Sequence, residues 1–89
     1  MIEKKITIKN KLGLHARAAV KFVNLANQFS SSVKIVKDGN EVDGKSILGL
    51  LTLAAARGTA IKLVVNGRDE AQAMKALCDL INNKFGEEE

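Results

Sequence analysis

The sequence predicts an α+β fold, an open-faced β-sandwich in which helices cover one face of a single four-stranded antiparallel sheet. Three observations predict it. Short stretches alternate apolar and polar residues with period two, as half-exposed strands do. Longer stretches repeat apolar residues every three or four positions, as helices lying on a sheet do. Clusters of Gly, Asn, Asp and Ser separate these stretches. Taken along the 89 residues, the order is βαββαβα.

Ile2, Ile6 and Ile8 alternate with Glu3, Lys5, Thr7 and Lys9 in the first strand, and Asn10, Lys11 and Gly13 make the loop after it. Ala16 to Gln28 reads as a helix, with Ala19, Phe22, Val23, Ala26 and Phe29 on one stripe, ended by Ser30-Ser31-Ser32. Val33 and Ile35 alternate with Lys34 in a second strand. Asp38-Gly39-Asn40 is a hairpin signal because these residues tolerate positive φ, and Glu41 to Asp43 forms the return strand. Ser46 stands at an N-cap position before Ile47. Leu48 to Ala56 reads as a helix stopped by Gly58, with Gly49 weakening its first turns. Ile61, Leu63 and Val65 alternate with Lys62 in the fourth strand, and Asn66-Gly67 is a turn. Asp69 caps the last helix, with Gln72 completing a capping-box pattern. Ala71, Met74, Leu77, Cys78, Ile81 and Phe85 form that helix's buried stripe, and Gly86 stops it.

A right-handed crossover makes strands one and two parallel in direction. The hairpin reverses strand three, and strand four follows a helix in the same direction as strand three. Inserting strand four between one and two makes every neighbour antiparallel, in the order 1-4-2-3.

Eighty-nine residues make one domain, 1–89. Hydrophobic residues are 46% and aromatic residues 3%, so aliphatic side chains must fill the core. There is no run of about 18 apolar residues, so no membrane insertion is expected. Met1 to Lys5 lacks an apolar signal core, so a cytoplasmic protein is expected. Cys78 is the only cysteine, which excludes an internal disulfide, and its place on the apolar stripe suits a buried, inert thiol. Net charge is +4 and uneven: residues 1–37 hold eight Lys and Arg against Glu3 alone, whereas Glu87-Glu88-Glu89 is an acidic end expected to be solvated and frayed. A basic surface attracts acidic partners. Nucleic acid is not expected, because no aromatic platform interleaves the basic residues.

The chemistry centres on Gly13-Leu14-His15-Ala16-Arg17. His15 is the only histidine, so a metal site would lack its further ligands. It falls at the start of the first helix, where free N–H groups and the positive end of the macrodipole favour an anion. Arg17 adds a forked cation suited to phosphate or carboxylate. A neutral imidazole is a nucleophile, and a helix N-terminus disfavours its charged form. The combination suits a histidine that carries a phosphoryl group, although a lone histidine is as readily a surface or cap residue. No metal, nucleotide loop or enclosed substrate pocket is expected, and no cofactor.

Gly13-Leu14-His15-Ala16-Arg17, followed about thirty residues later by Gly44-Lys45-Ser46-Ile47-Leu48-Gly49-Leu50, resembles HPr, the histidine-containing phosphocarrier family of the bacterial phosphotransferase system. The resemblance covers essentially the whole chain. It implies the same βαββαβα open-faced sandwich and a monomeric phosphoryl carrier, rather than an enzyme acting on a small molecule, in sugar transport. His15 would take a phosphoryl group at Nδ1 from enzyme I, with phosphoenolpyruvate as the ultimate donor, and pass it to an enzyme IIA protein or domain. Arg17 would stabilise the phosphate. Ser46 matches the family's regulatory serine, the target of HPr kinase/phosphorylase, and as a helix cap it could hold a phosphate without melting the helix. One departure is Ala18, where the family usually has proline. Alanine also suits a first helical turn, and the swap leaves open whether the chain serves sugar transport or a nitrogen-type regulatory branch.

The helix after Ser46 has more apolar residues than one face can bury. Leu50, Leu53 and Ala54 suit the core. Ile47, Leu48 and Leu51, flanked by Lys21 and Lys45, suit a partner-docking surface. The alternative is a wholly buried helix. The alternative function is an HPr-like regulatory binding module whose output is docking to a kinase or transcription regulator.

Overall fold

The computed structural model describes residues 1–88. Its elements are β1 (Ile2–Thr7), α1 (Ala16–Ala26), β2 (Ser32–Lys37), β3 (Asn40–Asp43), α2 (Ile47–Leu53), β4 (Ala60–Asn66) and α3 (Glu70–Asn82), followed by a 3-10 turn at Lys84–Gly86. The sheet order is β1-β4-β2-β3 with every pair antiparallel, as the sequence predicts. Register follows the apolar alternation: Val33 lies opposite Val65, Ile35 opposite Leu63, and Ile6 opposite Ile61. A slip of one residue would turn this whole row to the other face.

That row is buried under the helices. Val33, Ile35, Ile61, Leu63 and Val65 meet Ala19, Phe22, Leu50, Leu77 and Ile81 in one core. Each such large side chain contributes about 1.5–3 kcal/mol through burial. The opposite face is open and charged. Its ion pairs, Lys34 with Glu41 at 3.4 Å and Lys62 with Glu3 at 4.0 Å, are exposed and contribute little. The Asp38-Gly39 turn has φ of 51° and 82°, as a two-residue hairpin of this hand requires.

Four local expectations are revised. First, α1 ends at Ala26 with Asn27 as its C-cap, short of Gln28, and Phe29 packs half-buried beyond it.

Second, α2 stops at Leu53. Ala54 takes a left-handed conformation (φ 51°, ψ 41°) and is exposed, whereas Ala55 is buried and its carbonyl accepts from the Leu14 N–H at 2.8 Å. A tertiary hydrogen bond and a buried methyl outweigh the helix propensity of three alanines.

Third, Asp69 holds the N-cap position of α3 but does not cap with its side chain. Its carboxylate accepts from the amides of Ser30 (2.9 Å) and Ser31 (3.0 Å) and from the Ser31 hydroxyl. The Ser31 hydroxyl first, then the Ser30 amide, hold its carboxyl down at about 2 against a smaller opposing effect of burial. Asp69 therefore ties the start of α3 to the loop before β2.

Fourth, Ala73 rather than Ala71 lies on the buried stripe of α3. Phe85 is buried from outside the helix, because Lys84 and Phe85 both turn the chain with positive φ (57° and 56°).

Candidate functional site

The loop from Asn10 to Leu14 sets His15 in place. Gly13 donates its N–H to the Asn10 carbonyl at 3.1 Å and has φ +67°. A Cβ at Gly13 would fall 2.5 Å from the Ala55 carbonyl oxygen and 2.9 Å from Ala56 Cα. Only glycine lets the loop after α2 approach this closely. Leu14 is buried in the core, which anchors the chain one residue before the histidine.

His15 is the N-cap of α1, with extended backbone (φ −81°, ψ 180°) and no capping bond from its own ring. The first helical bond runs from the Ala19 N–H to the His15 carbonyl at 2.8 Å. The amides of Ala16, Arg17 and Ala18 therefore precede the intrahelical ladder and are donors available to an anion. Ala18 and Ala19 are fully buried against the core, so this helix end is rigidly seated.

The ring is partly covered, with its side chain 25% exposed, and its Nε2 lies 2.5 Å from Glu87 Oε2. Glu87 Oε1 accepts from Asn10 Nδ2 at 2.7 Å, and the same Nδ2 donates to the Gly13 carbonyl at 2.7 Å. Asn10 is fully buried, and its Oδ1 has no hydrogen-bond partner among the described residues. Burial pushes the Glu87 carboxyl up, but the hydrogen bonds from Asn10 and His15, with the charges of His15 and Lys21, outweigh it and leave the group below the usual carboxylate range. An ionised carboxylate can only accept. Nε2 is therefore the donor, and in the neutral ring Nδ1 carries the lone pair.

The acidic end was expected to be solvated and frayed. Glu87 is instead part of the site, its side chain 15% exposed; Glu88 is exposed, and Glu89 lies outside the described residues. The 3-10 turn delivers it: with Phe85 buried as an anchor, Gly86 (φ +78°) lets the chain swing over the head of α1. Lys21 on α1 locks the arrangement by donating to the Phe85 carbonyl at 2.7 Å. An open cleft lies beside Glu87, lined by Lys11, Leu12, Arg17, Lys21, Gly86, Glu87 and Glu88. Arg17 is exposed.

Ser46 caps α2: its Oγ accepts from the Gly49 N–H at 3.0 Å. Of the apolar residues that follow, Leu50 and Leu53 are core, whereas Ile47, Leu48 and Leu51 are 40%, 72% and 37% exposed. Ala54 faces solvent, and Ala55 takes the core place expected of it. Three further exposed apolar residues were not anticipated, Met1 at the start of the chain, Leu12 in the loop before His15 and Val20 on α1. Lys45 stands apart from Arg17 and Lys21. Its ammonium donates to the Phe29 carbonyl at 2.9 Å, beyond the C-terminal end of α1, whereas His15 is at the N-terminal end. Asn10 and Glu87 were missed as site residues. Asn10 carries a weak signal, since an Asn three residues before a Gly often orders a loop; Glu87 carries none.

Comparison with known proteins gives the family. The family model described as "PTS HPr component phosphorylation site" matches residues 2–83. The Phosphocarrier protein HPr of Neisseria meningitidis is 57% identical over 89 residues, covering all of both chains. The crystal structure of HPr-C-His from Thermoanaerobacter tengcongensis superposes with a TM-score of 0.96 at 50% identity, over all of both chains. A crystal structure titled as the HPr dimer from that organism matches at 0.79, covering 98% of this chain and 100% of that one. The chain belongs to the HPr phosphocarrier family of the phosphotransferase system.

Proposed function

We propose that this chain is a cytoplasmic phosphocarrier that accepts a phosphoryl group on His15 Nδ1 from phosphorylated enzyme I and passes it to an enzyme IIA protein or domain. The observation that carries the reading is the His15 ring at the head of α1, with Nε2 engaged by Glu87 and the amides of Ala16 to Ala18 outside the helical ladder. The Nδ1 lone pair attacks phosphorus, and the bond from phosphorus to the donor breaks, leaving its electron pair on the donor. The helix head and Arg17 then offset the charge of the bound phosphoryl group. The cleft that Arg17 and Glu87 line beside His15 is open rather than enclosed, which suits a protein partner as donor and acceptor.

Ile47, Leu48 and Leu51 form the docking patch, with Lys21 as a flanking cation. Ser46 is the regulatory position. Its hydroxyl opens a helix that runs toward the site, since Ala55, just past the end of α2, touches Leu14. With about 1.5 Å of rise per residue, α2 holds Ser46 on the order of 10 Å from the Ala55 contact. A phosphate on Ser46 therefore acts on docking, without touching His15. The carrier works as a monomer.

The test is intact-mass measurement after incubation with enzyme I and phosphoenolpyruvate. One acid-labile phosphate is expected on the parent and none on His15→Ala. Phosphate retained by His15→Ala would remove the assignment.

A further inference from the structure

The Asn10–Glu87–His15 chain of contacts has a chemical consequence beyond holding the tail in place. We propose that Glu87, aligned by buried Asn10, is a positioning residue that fixes the reactive tautomer of His15 and stabilises the ring as it becomes phosphorylated. The proposal rests on the reading of His15 as phosphoryl acceptor.

Three observations carry it. The first is the direct contact, Nε2 to Oε2 at 2.5 Å, on a ring that is three-quarters covered (25% exposed). The second is that the carboxylate is itself held. Its other oxygen accepts from Asn10 Nδ2 at 2.7 Å, Asn10 is fully buried, and the same Nδ2 grips the Gly13 carbonyl at 2.7 Å. The Asn amide thus has both of its bonds to acceptors, which defines which of its ends faces Glu87. The third is that the backbone bringing Glu87 here is specialised. Lys84, Phe85 and Gly86 have φ of 57°, 56° and 78°, and Lys21 pins the Phe85 carbonyl. Two consecutive non-glycine residues in that region are uncommon and need surroundings that over-determine them.

The chemistry follows from charge balance. A neutral imidazole has one N–H and one lone pair. With an anionic acceptor at Nε2, the proton resides there and the lone pair at Nδ1. When Nδ1 forms its bond to phosphorus and the donor takes back the electron pair of the broken bond, no proton has moved. The ring keeps Nε2–H and now bears positive charge. The contact with Glu87 changes from a neutral donor on a carboxylate to a cation on a carboxylate. Charge-assisted bonds are roughly twice as strong, so the interaction grows as the reaction proceeds, the condition for accelerating a step. When the phosphoryl group leaves for the acceptor, the same contact returns the ring to its starting tautomer.

The experiment compares parent, Glu87→Gln, Glu87→Ala and His15→Ala as full chains. Nitrogen NMR reads the His15 tautomer of each, rapid-quench kinetics with enzyme I reads the transfer rate, and urea midpoints read folding. The parent is expected to show the Nε2–H tautomer. Glu87→Ala should give a mixed tautomer population and transfer slowed about 10- to 100-fold, with a midpoint close to the parent's. Glu87→Gln keeps the side chain's volume but offers one acceptor oxygen where Glu87 uses two, so its NH2 must face Asn10 Nδ2 or His15 Nε2. Its tautomer and rate should therefore shift in the same direction as those of Glu87→Ala. Because it fills the same space, it decides the matter if truncation loosens the fold. An unchanged tautomer and rate in both variants would overturn the proposal, as would a faster rate, which would make the tail a cover rather than a support. Phosphate on His15→Ala would instead overturn the underlying reading of His15, whatever Glu87 does.

Discussion

Two leucines on one short helix should behave in opposite ways. Leu50 is fully buried between α1 and the sheet, and Leu48 is 72% exposed. Leu50→Ala removes core methyl groups and leaves a cavity that the surrounding aliphatic side chains fill only in part, so it should cost about 2–5 kcal/mol. Only about a quarter of Leu48 is covered. Scaling the roughly 1.5–3 kcal/mol for full burial of a leucine by that fraction gives about 0.4–0.8 kcal/mol. The slight helix preference for alanine returns a few tenths. The net cost of Leu48→Ala should therefore stay under about 0.5 kcal/mol. In thermal terms Leu50→Ala should lower Tm by on the order of 10 °C or more, and Leu48→Ala by less than about 4 °C. Binding should reverse the ranking. At a docking patch, truncation of Leu48 should weaken enzyme I affinity by about 1–2 kcal/mol, roughly 5- to 30-fold. Urea titration and calorimetric titration with enzyme I measure the two quantities on the same samples. A loss of stability for Leu48→Ala comparable to that of Leu50→Ala would place it in the core. Undiminished affinity with stability intact would place the docking surface elsewhere.

Arg17→Ala should slow phosphoryl transfer at least tenfold while moving the urea midpoint little, since an exposed arginine contributes little to folding; equal transfer rates would remove Arg17 from the mechanism. Ser46→Asp should keep or slightly raise stability, because Asp caps a helix as well as Ser does. It should slow His15 phosphorylation by enzyme I at low salt and recover partly at high salt, where exposed charges are screened within about 8–10 Å or less; an unchanged low-salt rate would leave Ser46 as a cap alone. Asp69 should govern acid stability. Its carboxyl is depressed from 3.8 to about 2 on folding, so its contribution is complete above its unfolded value and is lost as pH falls from about 4 toward 2. Urea midpoints of the parent should therefore drop more steeply across that window than those of Asp69→Asn, and parallel slopes would contradict the assignment.

Most of the fold was legible because period-two alternation in three strands, a hairpin signal for the fourth and one-sided stripes on the helices leave few ways to bury Val33, Ile35, Leu63 and Val65 together. Ser46 was legible because an N-cap is local: the bond it makes spans three residues. Errors arose where a distant partner decided. Ala54 reads as helix, but the Leu14 N–H draws the next carbonyl away and the chain takes a left-handed turn there. Asp69 reads as a capping box, but Ser30 and Ser31, far away in the sequence, offer three donors at once. Ala71 and Ala73 sit close in sequence, and a small shift in the phase of α3 exchanges which of them is buried. His15 and Arg17 stood out through residue type and placement. Glu87 did not, because an acidic terminus ordinarily belongs in water, and its contact with His15 spans 72 positions. Lys45 was placed beside the apolar patch with Lys21 by charge and sequence position, and its ammonium donates to the Phe29 carbonyl.

The central claim is that His15 holds a phosphoryl group between two proteins, and its most direct test is onward transfer. The chain is labelled with radioactive phosphate by enzyme I, purified away from it, and mixed with an enzyme IIA protein. Label should leave this chain and appear on IIA within the mixing period, with little inorganic phosphate released. Label that stays on the chain, or that is released only as inorganic phosphate, would contradict the account.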